Sequence, residues 1–224
     1  MLKKIAAIFC LALMVFASVS AISATRNGFI TINGGSEIVA LQMPGGHVTP
    51  AQDDAKLKTI AGSLNTHHPY GLYFCCFGWT VSGPNSPGGQ MIWIAVPFTP
   101  SANATVKKVE AAIGYISGTN KIVLSVNSDN NGLPGNALAT FHVKNVPALG
   151  SCCKLATGTS AAGIPVTQGV QYWLVVSTDS HDADFYGAWD MSATDMRSYA
   201  SAVNPDGTWR IQNGVLPAYA VLGE

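Results

Sequence analysis

The chain has 224 residues, of which 48% are apolar and only 11% charged, with 12 basic residues balancing 12 acidic ones. Average domains carry about 25% charged residues, so this surface is built from Ser, Thr, Asn and Gly, and the composition excludes a charge-rich disordered chain. Zero net charge also argues against a nucleic-acid or anionic-membrane partner, because phosphate binding takes a basic excess.

Met1-Leu-Lys-Lys4, an apolar run from Ile5 to Val19 and small residues ending at Ala24 have the three parts of a secretory signal peptide. The run is shorter than the ~20 residues of a membrane span. Cleavage after Ala21 or Ala24 fits, and Ala24 is preferred. Cys10 lacks a small residue just before it, which argues against a lipoprotein anchor. Loss of Lys3 and Lys4 leaves ten basic residues against 12 acidic, a net charge of −2. No apolar anchor segment follows, so the expected product is soluble, secreted and extracellular or periplasmic. It is one domain over residues 25–224, with 25–70 as an N-terminal extension of mixed signals.

Thr49-Pro50 is able to start a short helix over residues 51–60. Elsewhere apolar residues alternate with period two between Gly, Pro, Asn and Asp, the mark of short half-buried strands. Strands are predicted at 71–82, 91–98, 106–116, 120–126, 138–144, 171–177, 184–191, 208–212 and 218–222. Ser117-Gly-Thr119 is predicted to turn the third into the fourth as a hairpin, and Asn204-Pro-Asp-Gly207 to turn before Thr208. Strands at intervals of about ten residues predict an all-β, antiparallel β-sandwich, jelly-roll-like, rather than a parallel α/β sheet.

Four cysteines remain after the leader, as the adjacent pairs Cys75-Cys76 and Cys152-Cys153. In an oxidising compartment an even count favours disulfides, with three possible connectivities. Bridges between the pairs would each be worth roughly 4 kcal/mol in the chain-entropy model. They call for a turn or bulge at one pair, since adjacent strand side chains point to opposite faces. Vicinal bridges and a four-thiolate zinc site are the alternatives, the latter awkward at this spacing.

Gly78-Trp-Thr-Val-Ser-Gly83, Ile94-Ala-Val-Pro-Phe-Thr-Pro100, Ser128-Asp-Asn-Asn-Gly-Leu-Pro-Gly135, Leu149-Gly-Ser-Cys-Cys153 and Gly169-Val-Gln-Tyr-Trp-Leu-Val-Val176 resemble stretches of the bacterial secreted modules called choice-of-anchor R domains. The resemblance covers roughly residues 70–224. It implies a β-sandwich and export, and supplies no catalytic residue.

Asn127, Asp129 and Asn131 before Gly132 fit the first half of an oxygen-rich calcium loop, but Leu138 stands where the bidentate Glu belongs. A weak Ca2+ site and a plain Asn-Gly hairpin are the two readings. The stretch from Asp179 to Asp190 is rich in acids and aromatics. Asp182, Asp184, Tyr186 and Trp189 together suit a sugar: carboxylates for hydroxyls and a flat ring to stack on. Alternation of Phe185, Gly187 and Trp189 against Tyr186 fits equally a strand with Trp189 in the core. His181 with Asp182 or Asp184 is a further metal alternative. His67-His68 reads as an exposed loop, and Trp79, Trp93, Trp173 and Trp209 as core.

There is no G-x-S-x-G elbow, H-E-x-x-H helix, P-loop or dinucleotide glycine pattern, and Glu occurs only at 37, 110 and 224. The leading expectation is a secreted, non-catalytic sandwich that binds carbohydrate or another cell-surface polymer and requires no cofactor. The alternatives are a self-associating extracellular structural protein and a secreted hydrolase centred on the 179–190 loop.

Overall fold

The computed structural model describes residues 22–24, 30–33, 39–42, 57–64, 73–151, 155–179, 183–193, 198–203 and 207–224. The protein is all-β, an antiparallel sandwich. The strands in chain order are β1 (Ile22–Ala24), β2 (Ile30–Asn33), β3 (Val39–Gln42), β4 (Lys58–Gly62), β5 (Tyr73–Ser82), β6 (Ile92–Phe98), β7 (Ala104–Ala111) and β8 (Ile113–Ser117). They continue as β9 (Lys121–Asn130), β10 (Leu133–Lys144), β11 (Ala156–Val166), β12 (Tyr172–Ser177), β13 (Tyr186–Ser192), β14 (Tyr199–Val203), β15 (Thr208–Gln212) and β16 (Tyr219–Gly223). No helix occurs among the described residues. Lys58–Ile60, the end of the predicted helix, instead pairs with β16, and residues 51–56 lie outside the described residues.

A large sheet contains the runs β1-β2-β3-β5-β13-β8 and β10-β9-β12-β6-β14-β15, joined where Ser82 pairs with Ile92. The smaller sheet runs β11-β7-β16-β4. The region around residues 25–70 therefore contributes strands to both: β2 and β3 extend the large sheet beside β5, and β4 edges the small one. β1 covers the last residues of the expected leader, and among the described residues pairs only with β2. Between the sheets lies the main core, with Ile94, Val96, Phe98, Val109, Leu124, Leu174, Val176, Phe185, Trp189, Tyr219 and Val221 among its members. Period-two alternation delivers these residues from both inner faces.

The stretch predicted as one strand over 106–116 bends at Ala112 and serves both sheets. β7 belongs to the small sheet, between β11 and β16, whereas β8 pairs with β13 in the large one. The hairpin predicted at 117–119 does not form. β13 takes the place beside β8, with Ser117 opposite Tyr186, and β9 pairs with β10 and β12. At the bend, three backbone hydrogen bonds close a ring. Asp190 N–H donates to Ala112 O (2.8 Å), Ala112 N–H to Ala218 O (3.1 Å), and Ala218 N–H to Asp190 O (2.8 Å). Trp189 has no exposed surface, and its Nε1–H also donates to Ala218 O at 2.8 Å. Gly78 is required opposite, because a Cβ there would lie 2.5 Å from Trp189 O.

The Asp190 carboxyl is buried at this corner, and its Oδ1 has no hydrogen-bond partner. Burial pushes it well above the ordinary carboxylate range. The folded protein thus keeps a proton that the unfolded chain releases near pH 3.9, so this group's contribution to stability falls as pH rises from about 4. Asp190→Asn should flatten that slope: its urea midpoint should change less than wild type's between about pH 4 and pH 7. Trp189→Ala empties the corner and is expected to cost about 3–5 kcal/mol in the same measurement.

Candidate functional site

The Asn-Gly hairpin forms between β9 and β10, with Asn131 and Gly132 at φ of 53° and 82°, the left-handed pair that a tight two-residue turn needs. The side chains of the three expected calcium ligands are each engaged in hydrogen bonds within the protein. Asp129 Oδ2 accepts from Gly132 N–H at 3.0 Å, while its Oδ1 accepts from Gln171 Nε2 at 2.7 Å and Trp173 Nε1 at 2.8 Å. Asn127 receives the Ser125 hydroxyl and donates to Gly135 O, and Asn131 donates to Asn130 Oδ1. Desolvation raises the Asp129 pKa, but the bonds from Gly132, Trp173 and Gln171 outweigh it and hold the carboxyl below its ordinary value. Asp129 is thus a clasp that ties the hairpin to β12. No group of three or more His, Cys, Asp or Glu side chains among the described residues is placed to hold a metal ion.

Of the four expected sugar-site residues, Asp184, Tyr186 and Trp189 are among the described residues. Trp189 is a core residue, the reading that alternation with Phe185 also allowed, and offers no ring face to a ligand. Asp184 Oδ1 accepts the Thr119 N–H at 2.8 Å, and the Thr119 bonds lower its pKa. It fixes the turn that sends the chain from β8 to β9. Tyr186 is half-buried beside Leu149, Ala188 and Ile116, and burial raises its phenol pKa. Asp182 and His181 lie outside the described residues, as do His67, His68, Cys152 and Cys153. Cys75 and Cys76 fall in an irregular stretch of β5. On the β13 side Gly78 opposes Asp190 and Tyr73 opposes Ser192, so there the four residues 74–77 stand against the single residue Met191. The expected bulge is therefore at this pair.

A different set of side chains gathers on the outer face of the large sheet. Ala95, Trp173, Val175 and Ala200 alternate with inner core residues and form a second apolar cluster, with Trp209 packed against it. β10 and β15 stand at opposite ends of their six-strand array, yet their Cα atoms come within 8 Å. The array therefore wraps round on this face. Ala202 of β14 is paired with Trp93 on one side and Trp209 on the other. The two tryptophans thus share one face, two strand spacings or about 10 Å apart. Both are half-buried, and Trp93 Nε1–H is oriented by the Thr178 hydroxyl at 3.1 Å. The same row continues through Ser177 and Val123 to His142.

His142 escaped the sequence reading. Its Nδ1 lies 2.8 Å from Asp179 Oδ1, and Lys121 Nζ pairs with Asp179 Oδ2. Alternation in β10 places His142 on the outer face, but only the long-range register brings Asp179 to it. No protein-family model matches the chain, and no curated protein matches it either.

Asp129→Ala should strand the Trp173 indole N–H, which is buried, and remove two further bonds. A loss of about 2–3 kcal/mol in urea unfolding is expected.

Proposed function

We propose that the protein is a secreted, non-catalytic β-sandwich that binds a carbohydrate or another cell-surface polymer through the Trp93–Trp209 row. The observation that carries this reading is the pair of half-buried indoles on one outer face, flanking the same residue of β14. Their separation is comparable with a disaccharide repeat, so two rings of an extended glycan are able to stack on them while Ser177 and His142 meet hydroxyls. The low charge of the whole chain and its export signal support the same reading. Mature protein should be retained saturably on an insoluble polysaccharide panel. Trp209→Ala, on an edge strand, should weaken retention at least ~10-fold, equivalent to ~1.4 kcal/mol, with the fold intact by circular dichroism. Full retention by that variant contradicts the platform.

Self-association is the second reading, favoured by two exposed apolar side chains: Ile211 on β15 is 50% exposed and Leu138 on β10 47%. Exposed apolar side chains on a surface with few charges are able to pair with those of a second copy. Light scattering that rises with concentration in wild type, and not in Ile211→Lys, supports it; a monomer at every concentration removes it. Export and disulfide bonding of Cys75, Cys76, Cys152 and Cys153 belong to the first reading. Thiol titration of the unfolded, exported chain should then find no free thiol.

A further inference from the structure

One row below the tryptophans, Lys121 of β9 is directly opposite Lys144 of β10. Like charges directly opposite one another destabilise a sheet, and among the described residues a single carboxylate answers them. Asp179 is shared between Lys121 and His142, whereas Lys144 is exposed and makes no ion pair among the described residues. His142 is opposite Val123, in the row that leads through Ser177 to Trp93. A chain with very few charges thus brings two lysines and a histidine together with one acid among the described residues, at one end of an aromatic row.

Resting on the carbohydrate reading, we propose that the ligand is an acidic polysaccharide, a polymer of uronate-like sugars. Its rings stack on Trp93 and Trp209, and its carboxylates lie against Lys144 and Lys121. Ring stacking is indifferent to ligand charge, so the lysines select the acidic polymer over its neutral counterpart. Long flexible ammonium groups suit carboxylates spaced along a chain, since each acts as a point charge without fixed geometry. The selection is local: the net charge of the protein contributes no attraction, and screening over ~8–10 Å confines the effect to groups beside the bound chain.

The test compares polygalacturonate with its methyl ester, the same backbone without the charge, on the full mature chain at low and physiological salt. Tighter binding to the acid form, weakening several-fold with salt, is expected. Lys144→Gln should lower that affinity several-fold and reduce the salt dependence. Lys58→Gln, exposed on β4 in the other sheet, should not. Equal affinity for both forms, or retention on neutral polysaccharides alone, overturns the acidic ligand and leaves the carbohydrate reading standing. Absence of retention on every polysaccharide overturns both.

Discussion

The two sheets are held in register by a ring of backbone hydrogen bonds at the corner where Asp190, Ala112 and Ala218 meet. Each of the three residues donates to one neighbour and accepts from the other, so β13 of the large sheet is tied at once to the β7–β8 bend and to the start of β16. Trp189 adds a fourth bond to Ala218 O and fills the space behind it. Backbone groups buried at such a bend must find partners, because an unmet one costs as much as a lost hydrogen bond. The ring satisfies six of them in one place. It also fixes where the chain passes from one sheet to the other. The buried Asp190 carboxyl, whose Oδ1 has no hydrogen-bond partner, sits beside this ring, and its burial raises its pKa.

With the corner closed, the remaining strands have little freedom. β12 lies between β6 and β9 and is buried on both faces, Leu174 and Val176 toward the main core and Trp173 and Val175 toward the outer cluster. The wrapping of the six-strand array explains the outer cluster. A flat sheet would leave Trp173 in water, whereas the approach of β10 and β15 encloses it and leaves Trp93 and Trp209 at the margin. The proposed binding face is a consequence of that curvature: aromatic side chains that the enclosure only half covers, next to the lysines of β9 and β10.

Alternation in the sequence revealed most strands and the class of fold, because Val, Ile, Tyr and Trp at every second position leave few other solutions. It missed β11, where Ala, Thr, Ser and Gly carry a weak pattern interrupted by a register shift between Thr159 and Ile164. It missed β14 too, which is short and, after Tyr199, carries only Ala, Ser, Ala and Val. The turn at 117–119 was misassigned because a Gly between two apolar runs does not say which strand pairs with which. Tyr186 of a distant segment claims Ser117, and Asp184 captures Thr119. The same limit governs the site. Alternation groups Trp189 with Phe185 and Trp93 with Ala95, but the sequence does not say which face becomes the core when both faces of a strand are apolar. Asp184 looked like a ligand group and instead braces the turn before β9, whereas the aromatic pair of the outer face depends on register across three strands.

The assignment of the tryptophans to inside and outside bears the weight of the functional reading, and limited oxidation of the native protein by N-bromosuccinimide with peptide mass mapping addresses it directly. Trp93 and Trp209 should react first, with Trp173 and Trp189 protected until the protein unfolds. Early oxidation of Trp189 in a protein that keeps its native circular dichroism, with Trp93 and Trp209 protected, would contradict both the core at the corner and the proposed binding face.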